Sequence, residues 1–202
     1  MILAVDSSLG SAVAVVSADG DVLAQAGTQN ALGHAEVIGT LLEQVLAEAG
    51  DPEITHVAAG MGPGPFTGLR IGIAAARAFA IARGATLVPV ASHDALALEQ
   101  LDADRDARFV IATDARRREL AWTAYDGIDA DGLPRRVTEP ALVARADAAD
   151  VLAAYDVREV GVLHAGFLGR VAARAIAANR TIAGNEPLYM RSPDVAQPKA
   201  RA

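Results

Sequence analysis

The residues best placed to do chemistry lie between Gly60 and Ile73, in the run Gly-Met-Gly-Pro-Gly-Pro-Phe-Thr-Gly-Leu-Arg-Ile-Gly-Ile. A Gly/Pro loop that opens a helix suggests an anion site, because the unpaired amides of the first turn and the helix dipole attract phosphate. Three details count against a phosphate cradle. No Lys-Ser/Thr pair follows the glycines, and Gly62, Gly64 and Gly68 do not have the G-x-G-x-x-G spacing. Pro63 and Pro65 also carry no N–H to donate. The favoured reading is a rigid turn that lets a helix lie close on a sheet.

Asp6 closes the apolar run Ile2 to Val5 and is followed by Ser7 and Ser8, while Asp114-Ala115-Arg116 closes an apolar run in the second half. An aspartate in this place resembles the one with which actin-like and sugar-kinase folds help to hold metal-phosphate, so Asp6, Ser7 and Asp114 are the candidates for a vestigial nucleotide site. The plainer reading of Asp6 is a strand-end residue that bonds neighbouring backbone amides. His34, His56, His93 and His164 have no partner four residues away and no H-E-x-x-H pattern, so the sequence points to no metal. His34 is a candidate helix cap. Gly-x-Ser-x-Gly is absent and no nucleophile–base pair is legible, so neither an α/β-hydrolase nor a protease is supported. No catalytic residue is assigned.

The elements that must position these residues follow from periodicity. Strands are expected at Ile2 to Val5, Ser11 to Val16 and Val22 to Ala26, with Asp19-Gly20 as the turn of a hairpin. A helix over 34–49 carries Val37, Ile38, Leu41, Leu42, Val45 and Leu46 on one wide face and stops at Gly50. A strand over 54–59, the Gly/Pro loop, a helix over 67–83 capped by Thr67, a strand over 86–90 and a helix over 92–101 complete a βββαβαβα order with parallel crossovers. The polar stretch 102–108 is the expected boundary. Beyond it come strands over 109–113 and 120–125, a turn at 129–132, a helix over 144–154, a strand over 159–163, a helix over 169–178 and a loose tail over 193–202. This half resembles the first but is shorter and less regularly patterned.

The helix after the loop is apolar around nearly its whole circumference, broken only by Arg70, Arg77 and Arg83. Such a helix is expected to be buried all round. One side meets the sheet, and the other meets either another subunit or the chain itself. Small residues at Gly72, Ala75, Ala76 and Ala80 suit close helix approach.

With 202 residues and 52% apolar content, the chain is large enough for one domain or two small lobes around a substantial core. Residues 1–100 carry 10 Asp/Glu against 3 Arg, and residues 101–202 carry 15 of each sign. Neither half has the basic balance of a nucleic-acid binder, which argues against tight RNA binding by this chain alone. No run is long and apolar enough for a membrane span. Met1 leads directly into an apolar strand without a basic n-region, and there is no cysteine, so a cytoplasmic location is expected.

Gly62-Pro63-Gly64-Pro65-Phe66-Thr67-Gly68-Leu69-Arg70-Ile71-Gly72 resembles the hallmark G-P-G-S-F-T-G-L-R-I-G of the bacterial TsaB (YeaZ) family. Ile2 to Ser8 resembles its I-L-A-I-D-T-S, Asp114 to Glu119 its D-A-R-R-x-E, and Pro187-Leu188-Tyr189-Met190-Arg191 its P-L-Y-L-R. Pro65 departs from the family's Ser and removes a hydroxyl and an N–H.

The resemblance implies an α/β, two-lobed actin-like (ASKHA, ribonuclease H-like) fold. Residues 1–101 would form the first lobe, with the partner-binding helices, and 102–192 a reduced second lobe. It implies a non-catalytic scaffold subunit in the synthesis of N6-threonylcarbamoyladenosine at position 37 of tRNA, one that binds and activates the catalytic subunit TsaD. The ATPase TsaE and the tRNA would be met only through that complex, and the chain alone would form a homodimer. ATP, magnesium and a metal held by TsaD belong to the complex, and no cofactor to this chain. The H-x-x-x-H of TsaD proteins falls here on Ser92 and Leu96, neither a metal ligand in that role. The interface would use Ile38, Leu41, Leu42, Val45, Ile73, Ala76 and Ala80, with Arg70 and Arg77 meeting carboxylates at its rim. The alternative is a small ATP-dependent kinase or phosphohydrolase of the actin-like fold, using Asp6 and Asp114.

Overall fold

The computed structural model describes residues 1–29 and 34–191; the His34 side chain and the 193–202 tail lie outside what it describes. The first sheet contains β1 (Ile2–Asp6), β2 (Ser11–Val16), β3 (Val22–Thr28), β4 (His56–Gly60) and β5 (Thr86–Val90). Its order is 3-2-1-4-5. The first three strands form an antiparallel meander, with Ile2 opposite Val16 and Asp6 opposite Ala12. β4 and β5 continue the sheet in parallel, as expected of strands joined by helical crossovers. The crossovers are α1 (His34–Glu48) between β3 and β4, and α2 (Phe66–Arg83) between β4 and β5.

β1 explains the layering. Leu3 and Val5 pack with α1 and α2, and Ile2 and Ala4 face the opposite core. A strand buried on both faces reads as a continuous apolar run, which is how Ile-Leu-Ala-Val appears in the sequence.

α2 begins one residue before the expected Thr67 cap. Leu69 N–H donates to the Pro65 carbonyl at 3.0 Å, so the first turn closes on Pro65 and Thr67 lies inside it. At its other end Gly84 takes φ +64° and Ala85 N–H returns to the Ala80 carbonyl at 2.9 Å. Only glycine adopts that left-handed turn without steric cost.

After α3 (Ser92–Leu101) the chain builds a second sheet from β6 (Arg108–Asp114), β7 (Glu119–Ile128), β8 (Pro134–Arg136), β9 (Ala141–Ala144) and β10 (Val157–Glu159), with the short α4 (Ala148–Val151) before β10 and α5 (Ala165–Ala177) after it. β6 lies between antiparallel β7 and parallel β10. β8 and β9 each pair with part of β7, so two short strands fill the place that β3 fills in the first sheet. The second sheet is thus a shortened copy of the first, the reduced second lobe of a ribonuclease H-like pair.

The second half differs from its sequence pattern in four places. The expected helix over 144–154 shrinks to four residues, because Ala144 belongs to β9 and pairs with Glu119. The strand expected at 159–163 lies at 157–159, β8 and β9 were not expected, and α5 starts four residues early, at 165. Three- and four-residue elements carry too little periodicity to be read. α5 also crosses back to cover the first sheet opposite α1 and α2. Gly169 permits this, since a Cβ there would press on the Val16 side chain. The sheets divide near residues 102–107, but the helices do not. No helix among the described residues is long and apolar enough to cross a membrane.

Candidate functional site

The Gly/Pro loop, the end of β1 and the start of α3 meet in one buried junction. Asp6 is 1% exposed. Its Oδ1 accepts the Ser8 amide at 2.7 Å and the Ser8 hydroxyl at 2.6 Å, and its Oδ2 accepts the Ser92 hydroxyl at 2.5 Å. Ser92 Oγ in turn accepts the Gly62 amide at 3.1 Å, and Ser92 N–H donates to the Gly62 carbonyl at 2.7 Å. Burial pushes the Asp6 carboxyl above its ordinary range, and the bonds from Ser8 and Ser92 pull against that rise. A Cβ at Gly60 would collide with Asp6 Oδ2.

This geometry gives Asp6 the plainer of its two roles, tying β1 to α3 and, through Ser92, to the loop. Both of its oxygens are engaged by donors of the chain itself. Two amides at the start of the loop are engaged too: Met61 N–H goes to the Val90 carbonyl at 2.8 Å and Gly62 N–H to Ser92. Asp114, at the end of β6, is exposed and lies 3.4 Å from Arg145. Among the described residues no cluster of three or more His, Asp or Glu is arranged to hold a metal. At the two positions matched to H-x-x-x-H, Ser92 serves the Asp6 junction and Leu96 is packed in the core.

Ser7 fixes α2 against the sheet. Its hydroxyl donates to the Gly68 carbonyl at 2.7 Å and accepts the Gly72 amide at 3.1 Å. A Cβ at Gly72 would collide with Ser7 Oγ. The close approach that this glycine permits is therefore made to β1's own loop and not to a partner helix. Gly72→Ala is expected to lower unfolding free energy by about 1–3 kcal/mol, the usual cost of overpacking. A urea titration followed by circular dichroism measures it, and a loss below about 0.5 kcal/mol is incompatible with this contact.

The two helices are amphipathic by burial although α2 is not by sequence. Ile38, Leu41 and Val45 of α1 and Ile73, Ala76 and Ala80 of α2 are all under 9% exposed and form one core with the sheet. These six side chains are therefore inaccessible to a partner, which corrects their place in the expected interface. Leu42 is half-buried at the margin. Outward from α2 stand Ala74, Ala78, Ala82 and Ile81, the last 83% exposed.

Arg70 and Arg77 edge this open face and bond the chain's own C-terminal segment. Arg70 Nε donates to the Tyr189 hydroxyl at 3.1 Å, its guanidinium lies 4.0 Å from the Phe66 ring centroid, and Arg77 donates to the Asn185 carbonyl. Leu188 N–H reaches the Met61 carbonyl at 2.7 Å and Arg191 pairs with Glu119, so residues 185–191 strap the loop to the second sheet.

A second buried constellation lies where α3 meets the second sheet. His93 sits between two hydroxyls, Nδ1 2.8 Å from Thr123 Oγ1 and Nε2 3.0 Å from Thr113 Oγ1. Burial, then the nearby Arg136 charge, lowers its pKa to about 3. Asp94 accepts Arg136 in a two-pronged contact, Nε to Oδ1 at 3.0 Å and Nη2 to Oδ2 at 2.7 Å, and the Tyr125 hydroxyl donates to Oδ1 at 2.8 Å. Burial pushes the Asp94 carboxyl up against the pull of Arg136. No sequence pattern singles out Asp94, Thr113, Thr123, Tyr125 or Arg136, and His93 stands out only as a residue type that can bind metal. An acidic residue in a first helical turn is so ordinary that nothing marked this one as buried.

Comparison with known proteins gives three likenesses and one family. The family model described as TsaD, tRNA N6-adenosine threonylcarbamoyltransferase, matches residues 28–158. An uncharacterized protein of Mycobacterium tuberculosis is 37% identical over 154 residues, 72% of this chain and 66% of that protein. The tRNA N6-adenosine threonylcarbamoyltransferase of Streptococcus pneumoniae is 49% identical over 59 residues, 28% of this chain and 18% of the enzyme. The chain thus spans just under two thirds of the mycobacterial relative and under a fifth of the transferase. Among solved structures, YeaZ from Pseudomonas aeruginosa superimposes with a TM-score of 0.75 at 22% identity, over 93% of this chain and 98% of that one, a likeness of fold.

Proposed function

We propose a function from one premise: the chain belongs to the TsaD family, the family of tRNA N6-adenosine threonylcarbamoyltransferase domains. Within it the chain acts as a non-catalytic TsaB (YeaZ)-type subunit that binds and activates a TsaD catalytic subunit in the synthesis of N6-threonylcarbamoyladenosine on tRNA. TsaE and tRNA are reached through that complex, which also holds the ATP, magnesium and metal. Free of TsaD, the chain pairs with itself through the same surface.

One observation carries this reading. α2 turns Ala74, Ala78, Ile81 and Ala82 outward, and the exposed Arg77 that shares this face is bonded to the Asn185 carbonyl. Small residues on an exposed helix face allow another helix to approach closely, and Ile81 supplies exposed apolar area for a partner to bury. The engaged Asp6 and the Ser92 and Leu96 positions support a scaffold role, since each is turned inward to the chain's own packing. The buried side of α2 makes the helix a rigid platform, and its open side receives the partner.

Ile81→Glu tests the proposal. The residue is exposed in the monomer, so the variant is expected to fold with an unchanged circular dichroism spectrum. Association with TsaD is expected to weaken by about 100-fold or more, because a carboxylate would be buried unpaired. Size-exclusion chromatography with mass measurement reads both the heterodimer and the homodimer. Undiminished co-elution of a folded Ile81→Glu chain with TsaD would place the interface elsewhere.

A further inference from the structure

The turn between β6 and β7, Asp114-Ala115-Arg116-Arg117-Arg118-Glu119, departs from its local rule. Arg116, Arg117 and Arg118 take φ of +61°, +51° and +63°. Glu119 N–H donates to the Arg116 carbonyl at 3.0 Å, and Ala115 N–H to the Glu119 carbonyl at 3.0 Å. Arg117 and Arg118 therefore occupy the two central positions of a tight turn with both φ positive, where Asn-Gly or Gly-Gly relieves the steric cost. Three consecutive left-handed positions held by arginine are a local conflict, and such conflicts concentrate at functional sites.

What arginine brings to such a turn is charge. All three residues are exposed. The guanidiniums of Arg116 and Arg118 have no hydrogen-bond or ion-pair partner among the described residues. Arg145, whose amide bonds the Arg118 carbonyl at 2.8 Å, pairs with Glu159 and Asp114, and Arg191 pairs with Glu119. Five guanidiniums thus gather against three carboxylates on a chain of formal net charge −7. Five positive charges against three negative leave a local excess of two, and Arg116 and Arg118 present it to solvent.

We infer that this arginine turn contacts the phosphate backbone of the tRNA when the chain is assembled with its catalytic partner, an inference that rests on the function proposed above. The guanidinium fork matches two phosphate oxygens at once, and it stays charged at every working pH. A tight turn holds the forks in place with little ordering to lose on contact. Phosphate contacts position an RNA without reading its sequence. Two of them are too few for tight binding by an acidic chain alone, which is why the contact belongs to the assembled complex.

Fluorescence anisotropy of labelled tRNA with the assembled complex tests this, over about 50–200 mM salt. Two variants are compared with wild type: Arg116→Ser with Arg118→Ser, and the turn-preserving Arg117→Asn with Arg118→Gly. Loss of both contacts in the double-serine variant is expected to weaken Kd by roughly 10-fold and to reduce the slope of log affinity against log salt by about 1.5–2, and loss of Arg118 alone in the Asn-Gly variant by about 3-fold and about 0.7–0.9. The Asn-Gly variant relieves the turn and still weakens tRNA, an outcome that a purely structural turn would not give. Co-elution with TsaD, read in parallel, stays at wild-type level. Unchanged affinity and slope in both variants overturn the inference. So does loss of TsaD with tRNA affinity retained, which would assign the turn to an acidic protein surface. Should wild-type chain fail to bind TsaD at all, the functional proposal falls, and this inference falls with it.

Discussion

Arg136→Ala unfolds about 3–5 kcal/mol more easily than the parent chain, the range for removing one partner of a buried ion pair. The loss comes from what stays behind. Asp94 has a side chain only 6% exposed, and both prongs of its cation disappear together. The Tyr125 hydroxyl still donates to Oδ1, but one neutral donor does not replace a bidentate charge. The carboxyl is left to protonate or to draw water into the seam between α3 and β7. Arg136 also reaches the Ile182 carbonyl at 3.3 Å, so the segment leading to the strap loosens as well.

Against a typical total of about 5–15 kcal/mol, such a loss is large. Arg136→Lys is expected to recover only part of it, because an ammonium cannot make the forked contact. Replacing both partners, Asp94→Leu with Arg136→Met, is expected to restore much of the stability, since no buried charge then remains. Urea titrations of the three variants measure the series. A loss below about 1 kcal/mol in Arg136→Ala would show the pair to be exposed in solution and the joint between the sheets to lie elsewhere.

What the sequence made legible follows from where the signal was strong. The five strands of the first sheet and the three helices around it were readable because each buries a long periodic face or a continuous apolar run. α2 was misread for a physical reason. Alanine is apolar by count but exposes so little area that Ala74, Ala78 and Ala82 lie at the surface without penalty. Only the larger residues report direction: Leu69 and Ile73 point inward, Phe66, Ile71 and Phe79 are half-buried, and Ile81 points outward.

The same ambiguity placed six core residues in the expected interface. A face wide enough to bind a partner and a face wide enough to cover a sheet have one pattern. The return of α5 to the first sheet was hidden because its packing is set by Gly166 and Gly169 against Val22 and Val16, contacts more than a hundred residues apart in sequence. The Asp6 junction was half legible: the strand-end aspartate and its serine followers were visible, and the third member, Ser92, was noted only as a missing ligand. The Arg117-Arg118 turn is visible in the sequence as part of a family motif, but its left-handed backbone has no signature in arginine.

His93 supplies a pH dependence whose sign can be worked out. Its ring is 1% exposed between Thr113 and Thr123, and its folded pKa is lowered from 6.5 to about 3, first by burial and then by Arg136. Between those values the unfolded chain holds a proton that the folded chain refuses, so acid favours unfolding. The contribution is complete above pH 6.5 and is lost as pH falls toward 3. Asp6 and Asp94 act in the opposite sense, because burial raises both and the folded chain then binds protons more readily than the unfolded chain above 3.8. The raw stability curve therefore mixes the two. A His93→Gln variant isolates the histidine, since both aspartates remain. At pH 7 wild type is the more stable, having the better-packed ring and both threonine bonds. At pH 5 the gap is expected to narrow by about 2 kcal/mol, at roughly 1.4 kcal/mol per pH unit below the unfolded value. Paired urea titrations at the two pH values measure that change. An equal gap at both would mean that His93 titrates as in water, and that α3 does not seal against the second sheet.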